Sequence, residues 1–189
     1  MKQLVDYMVA ALVLLLCCPL LLYIAIRIRI QGAGSVFYQQ ERLGKGGVPF
    51  RMVKFRTMVT GAEDGTPLLA VSDDQRVTAF GRTLRKHHLD ELPQFWNVLK
   101  GDMSIVGPRP ERAWFVQQIL EKTPDYKRIF NLKPGITSLG MVKFGYANTI
   151  EKMIERSRYD LYYLEHYSFW LDVKILLATV REVWIGKGI

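Results

Sequence analysis

From residue 7 to residue 26 there is no Asp, Glu, Lys or Arg, and no other feature limits the fold of this chain as strongly. At about 1.5 Å per residue, a helix of that length reaches roughly 30 Å, the thickness of a bilayer core. The segment therefore belongs in a membrane. Pro19 stands near its middle, where it removes a helical hydrogen bond to the Leu15 carbonyl and disfavours helical geometry at Cys18. A helix break at Cys18 and Pro19 is expected. Lys2 precedes the run and Arg27 and Arg29 follow it, so neither flank is marked as the non-cytoplasmic one, a pattern that suits a re-entrant hairpin. On these residues alone a single span remains the first reading and the re-entrant helix the second. A cleaved signal fits poorly, because the run is long and has no small-residue cleavage site before Arg27. Leu16, immediately before Cys17, also argues against a lipoprotein signal.

The rest of the chain is long enough for one compact unit with a real core, since the total is 189 residues. A formal net charge of +8 favours an anionic partner, whether nucleic acid, phospholipid headgroups or a phosphorylated substrate. The two cysteines, Cys17 and Cys18, are neighbours inside the apolar run, which excludes a disulfide framework and a Cys-based zinc site.

After a glycine-containing break at residues 31–35, residues 36–40 alternate as a short strand does, and residues 50–55 read as a second strand. The turn-rich link at residues 44–49 makes a β-hairpin the simplest connection. Its glycines lack the spacing and the following Lys-Ser/Thr of a P-loop. Lys54 and Arg56 alternate around Phe55, so both cations are expected on one strand face. Residues 60–74 read as a polar surface loop, and residues 76–88 as a basic, partly amphipathic helix.

The stretch LRKHHLDELPQFWNVLKGDMSIVGPRP at residues 84–110 carries the densest chemistry. Asp90 and Glu91 are adjacent acids at the expected start of a helix, where its positive end favours them. Pro93 fits the first turn and Gly101 the stop. Arg82, Arg85 and Lys86 precede the acids, and Arg109 follows between two prolines that stiffen its backbone for a bidentate acceptor such as phosphate. Taken singly, each feature is also what a solvated helix or a simple turn offers. His87 and His88 would project about 100° apart on a helix, so four convergent metal ligands are not expected. A hard ion such as Mg²⁺, satisfied by one or two carboxylates, water and substrate phosphate, is the better candidate, with Asp90 and Glu91 as its ligands.

In this order the pieces resemble the monotopic phosphoglycosyl transferases, also called the bacterial sugar transferase family. The residues that carry the resemblance are the proline-broken N-terminal helix, KFRTM at residues 54–58, LDELPQFWNVLKGDMSIVGPRP at residues 89–110 and KPGIT at residues 133–137. It implies transfer of a sugar 1-phosphate from a UDP-sugar to polyprenol phosphate, usually undecaprenyl phosphate, with release of UMP. It also implies a re-entrant membrane helix, here broken at Cys18-Pro19 where the family often has Ser-Pro. By the same resemblance Asp90 is the nucleophile that carries a covalent sugar phosphate, and Glu91, its partner in the dyad, either holds Mg²⁺ or orients the acceptor phosphate. Lys54, Arg56, Arg85 and Arg109 are the candidate phosphate-binding residues. A carboxylate with an ordinary pKa near 3.9 is ionised at pH 7 and needs no general base to attack phosphorus.

Beyond Pro110 the chain reads as a helix over residues 111–122, a break at Thr123-Pro124, a second short helix and a turn at Pro134-Gly135. Residues 138–147 depart from the Gly-Trp-containing version common in the family. Residues 150–165 and 169–184 are two amphipathic helices. The first is expected to pack on the catalytic unit, and the second divides evenly between packing and a membrane interface, with Trp170, Trp184 and Lys187 near headgroups.

The expected fold is thus α/β and mostly helical, with a re-entrant helix over residues 1–30 and a catalytic unit over residues 31–189 that work together. It combines a small β-hairpin, a catalytic helix start and amphipathic interfacial helices. The expected place is the cytoplasmic face of a bacterial inner membrane, early in the assembly of a capsule, exopolysaccharide, O-antigen or glycoprotein glycan. The expected partners are a UDP-sugar, undecaprenyl phosphate and membrane lipids, with no nucleic acid and with a homodimer compatible. The rival reading is a non-catalytic, membrane-anchored basic protein that holds an anion. Two acids at the centre of the basic stretch argue against it.

Overall fold

The computed structural model describes residues 2–62 and 74–186. The apolar run forms two helices, α1 (Lys2–Leu16) and α2 (Cys18–Ile30), bent by 62° at Cys17. The break therefore falls one residue before the expected Cys18-Pro19 pair. Cys18 opens α2 and Pro19 sits in its first turn, where a missing N–H costs no helical bond. Leu21 N–H still bonds the Cys17 carbonyl at 2.8 Å. Among the described residues no single helix is long and apolar enough to cross a membrane. Together the pair passes that test, and its bend is flanked by exposed Leu12, Leu15, Leu16, Leu20 and Leu22.

Both ends of the bent pair are rooted in the same folded body. Near the start of α1, the buried Asp6 carboxylate accepts from Ser104 Oγ at 2.6 Å and from Ile105 N–H at 3.4 Å. Lys2 Nζ donates to Asp172 at 2.6 Å and to the Tyr163 hydroxyl at 3.2 Å. Ala10 enters the main core with Val98, Met103, Ile105 and Ile175. At the far end of α2, Ile24 and Ile28 pack with Phe55 and Leu84 in a second core. Apolar contacts alone discriminate weakly between protein and lipid, so the polar anchors fix where each arm sits.

Strands β1 (Phe37–Leu43) and β2 (Pro49–Phe55) pair antiparallel, as the alternation predicts, across a short 3₁₀ turn at Lys45–Gly47. Helix α3 (Ala79–Lys86) is shorter than the expected 76–88 and is capped by Thr78 Oγ1 on Gly81 N–H. His87 and His88 leave the helix, and His88 takes a left-handed backbone (φ 53°). A 3₁₀ turn at Leu89–Glu91 and then α4 (Gln94–Lys100) follow. This corrects the expectation of a single helix starting at the acids. Asp90 and Glu91 occupy their own tight turn, and Pro93 stands just before α4. Gly101 closes α4 at φ 86°, the left-handed stop the sequence suggests.

Asn97 joins α4 to the hairpin. It is fully buried, accepts from Val53 N–H at 3.0 Å and donates to the Arg51 carbonyl at 2.8 Å. Asn97→Ala therefore removes an acceptor and a donor and leaves main-chain groups of β2 unpaired. The expected loss is about 2–3 kcal/mol, or roughly 4–12 °C in melting temperature for a chain of this size. A melt of the detergent-solubilised variant that moves by less than 1 °C contradicts this role.

Two short strands were not foreseen. β3 (Ser104–Val106) pairs in parallel with β4 (Gly135–Thr137). Gly107 and Gly135 permit the approach, because a Cβ on Gly107 would fall 2.3 Å from the Lys133 carbonyl oxygen. Between these strands lie α5 (Ala113–Lys122) and, where a second short helix was expected, a 3₁₀ helix at Pro124–Asn131. Three helices complete the chain: α6 (Leu139–Lys143), α7 (Ile150–Glu165) and α8 (Phe169–Ile185). α7 buries Met153, Arg156, Ser157, Asp160 and Tyr163, so it is a core helix, as expected. α8 buries Ile175 and exposes Trp170 and Trp184. The loop expected at 60–74 falls mostly on residues outside those described, as does Lys187.

Candidate active site

The hairpin, α3, the Leu89–Glu91 turn and the loops after β3 and α6 surround one cavity of about 500 Å³. Lys54, Arg56, Arg85, Asp90, Glu91 and Arg109 all line it, so residues 55 positions apart in sequence meet at one place. Lys54 comes from the end of β2, Arg85 from the last turn of α3, and Arg109 from the Pro-Arg-Pro segment that leaves β3.

The two acids have opposite surroundings although they are neighbours and equally buried. Glu91 Oε1 accepts from Lys54 Nζ at 2.6 Å and from Arg109 at 3.3 Å. Burial alone would push its carboxyl up, but those two cations outweigh it and hold Glu91 well below the usual carboxylate range. Burial likewise opposes the charge of Arg109, and Glu91 more than compensates, so that guanidinium stays charged. Asp90 makes no ion pair or side-chain hydrogen bond among the described residues. Burial pushes its pKa up, and the negative charge of Glu91 adds to this while Lys54 opposes it. The turn thus presents one acid tied down by cations and one whose oxygens are uncommitted.

The expected basic residues divide in the same way. Arg85 Nε donates to the buried Thr57 hydroxyl at 2.9 Å, which fixes its stem at the edge of the cavity it lines. Arg56 lies just past β2, and its guanidinium turns to the main chain at the end of α2. It donates to the Ala33 carbonyl at 2.8 Å and to the Ile28 carbonyl at 3.4 Å. Lys54 and Arg56 both reach the cavity, in keeping with one strand face, and Arg56 N–H bonds the Val36 carbonyl at 2.9 Å, which carries the strand pairing on to it. Arg56 braces α2 against the hairpin, because the orphan carbonyls at a helix end attract a cation.

Behind these residues lies a buried set of charges that no sequence motif marks. Glu111 bonds Arg42 at 2.9 Å and also Arg156, and all three side chains are at most 15% exposed. Arg42 also donates to the Pro110 carbonyl at 3.0 Å. Asp160 accepts from Gly140 N–H at 3.0 Å and from Arg109 N–H at 3.4 Å. The backbone on both sides of the Arg109 side chain is held by buried charge. Arg156 and Asp160 are four residues apart on α7 and look in the sequence like an ordinary polar stripe.

Among the described residues no group of three or more His, Cys, Asp or Glu converges to cage a metal ion. A hard divalent cation does not need one. Mg²⁺ is satisfied by one or two carboxylates with water and substrate phosphate, and the free oxygens of Asp90 beside Glu91 fit that demand.

Comparison with known proteins finds both a family and individual relatives. The family described as bacterial sugar transferase matches residues 1–186. A UDP-N-acetylgalactosamine-undecaprenyl-phosphate N-acetylgalactosaminephosphotransferase of Aeromonas hydrophila is 40% identical over 187 residues, 99% of this chain and 44% of that protein. Two UDP-glucose:undecaprenyl-phosphate glucose-1-phosphate transferases are similar too. That of Escherichia coli (strain K12) is 39% identical across 100% of this chain and 41% of its own length. That of Caulobacter vibrioides is 41% identical across 96% of this chain and 69% of its own length. The chain spans less than half the length of the first two of these relatives.

Proposed function

The chain belongs to the bacterial sugar transferase family, and on that premise we propose that it moves a sugar 1-phosphate from a UDP-sugar to undecaprenyl phosphate, with Asp90 as nucleophile. The observation that carries this reading is the asymmetry of the two acids. Asp90 has uncommitted oxygens in a cationic cavity, while Glu91 is pinned by Lys54 and Arg109.

In the first step an Asp90 oxygen forms a bond to the sugar-bearing phosphorus of the donor. The bond from that phosphorus to the bridging oxygen breaks, and UMP leaves with the electron pair. In the second step an oxygen of undecaprenyl phosphate attacks the same phosphorus and Asp90 is released as a carboxylate. Neither step requires a proton from the protein. Lys54, Arg85 and Arg109 offset the repulsion between Asp90 and the diphosphate and stabilise charge developing on the leaving group. Asp90 and Glu91 would hold Mg²⁺, which would supply further neutralisation of the diphosphate.

The bent helix pair brings this site to its lipid substrate. With Lys2 and the end of α2 both fastened to one body, the exposed leucines at the bend enter one leaflet and return. In this reading the catalytic unit rests on the cytoplasmic face of the bacterial inner membrane. Cysteines placed at positions 3 and 31 should therefore both react with an impermeant thiol reagent from the same side, in a background where Cys17 and Cys18 are serine. Labelling from opposite sides rules out the re-entrant arrangement.

The raised pKa of Asp90 gives the reaction a pH signature. Asp90 attacks only as the anion, so kcat/KM falls as pH drops through its pKa, which burial has moved above the ordinary value near 4. Glu91, held low, adds no limb in that range. A kcat/KM that does not fall on acidification contradicts the assignment.

The direct test is UMP release by the purified protein with Mg²⁺ from a panel of UDP-sugars, with and without undecaprenyl phosphate. Release that depends on the acceptor, from one donor, is expected. Tight binding of undecaprenyl phosphate with no release from any donor supports the anion-holding alternative instead.

A further inference from the structure

Tyr146 lies in the segment after α6 and takes no part in the chemistry described so far. It lines the catalytic cavity and is half-buried. Its ring packs against Arg109, whose guanidinium carbon is 5.6 Å from the ring centroid. Its hydroxyl is 3.3 Å from Nδ1 of His88, and the two rings are nearly parallel, 3° apart with centroids separated by 6.1 Å. His88 in turn is the one non-glycine residue with positive φ among those described, and its carbonyl accepts from Glu91 N–H at 3.1 Å. A single phenol therefore touches both the residue that opens the turn of Asp90 and Glu91 and the cation across from them. Burial pushes the phenol's pKa up, so the hydroxyl stays neutral and can donate to the imidazole or accept from it.

We propose that Tyr146 is a positioning residue for sugar-phosphate transfer, holding Arg109 by its ring and the acidic turn through His88. The inference rests on the reaction proposed above. Its physical advantage lies in how Arg109 is held. A ring face restrains a guanidinium without occupying its N–H groups, which remain available for a phosphate. The hydroxyl bond to His88 restrains the one left-handed residue on which the orientation of the turn depends. Residues 144–148 thus connect to both walls of the site.

Three variants separate this role from general support of the fold. Tyr146→Phe keeps the ring and loses the bond to His88. It is expected to lower kcat about three- to tenfold and to leave the donor KM within about twofold. Tyr146→Leu also frees Arg109 and should raise KM about tenfold. His88→Asn, whose side chain suits positive φ, should cost no more when Tyr146→Phe is already present. A merely structural role lowers the melting temperature and the active fraction without moving KM. Wild-type kinetics for Tyr146→Phe, unchanged KM for Tyr146→Leu, or losses that multiply in the double variant would each overturn the proposal. The bond itself is read without turnover from the ¹⁵N shift of His88 Nδ1, which should move in Tyr146→Phe. An unchanged shift overturns the tether whether or not the chain turns over. Absence of UMP release from the wild type, with the shift moving as expected, overturns the reaction and leaves the tether standing.

Discussion

Asp90→Asn is expected to reduce UMP release by about a thousandfold or more while leaving the protein at least as stable as the wild type. The two halves of this expectation come from the same feature. Asn has nearly the shape of Asp but no anionic oxygen, so it cannot form the bond to phosphorus. Asp90 is also a buried carboxylate without an ion-pair partner, and burial already disfavours its charge. Replacing it with a neutral amide relieves that desolvation and should hold or raise the melting temperature. Glu91→Gln should behave differently, since it takes the anion away from Lys54 and Arg109 and destabilises the fold as it slows the reaction. The measurement is single-turnover UMP release with matched melts, together with mass spectrometry of wild-type protein quenched with donor alone. A sugar-phosphate adduct on the peptide holding Asp90 is expected. A loss of less than tenfold in Asp90→Asn, or an adduct on Glu91, reassigns the nucleophile.

The contrast between the two acids could not have been read from the sequence. Asp90 and Glu91 are visible there as a pair, as are Lys54, Arg85 and Arg109, because each sits in a motif or beside punctuating prolines and glycines. What the sequence does not carry is which cation reaches which acid. The partners of Glu91 lie 37 and 18 residues away, and no local pattern encodes such distances. The same limit hides the pairing of β3 with β4, since three-residue strands about thirty positions apart have no periodicity to detect. The hairpin and α7 were legible because alternation and a 3.6-residue repeat run through them for long enough. His88 illustrates the opposite case. Its surroundings favour continuing α3, and the left-handed turn that separates the acids from the helix overrides that local preference. Arg56 is legible as a second cation beside Lys54, since strand alternation places both at the cavity. What the sequence does not carry is that its guanidinium also bonds main-chain carbonyls at and after the end of α2.

Glu111→Ala is expected to lower stability by about 3–5 kcal/mol, or roughly 6–20 °C in melting temperature. Glu111 is the shared anion of a buried triad, and its removal takes the ion-pair partner from both Arg42 and Arg156. Burial already lowers the pKa of Arg42, and Glu111 is the largest attraction opposing it. The loss should reach the active site as well, because Arg42 holds the Pro110 carbonyl beside Arg109. Stability and placement are separable in a triple variant, Arg42→Met, Glu111→Leu and Arg156→Met, which removes the three charges of the triad together, while Asp160 keeps its bonds from Gly140 N–H and Arg109 N–H. Apolar replacement of a buried triad is often neutral or stabilising, so the melting temperature should recover. If kcat/KM stays low in that stable protein, the triad serves to aim Arg109. If activity returns with stability, the triad serves the fold alone, and the buried charge near the Pro-Arg-Pro segment that matters for the site is then Asp160, whose carboxylate accepts from Arg109 N–H itself.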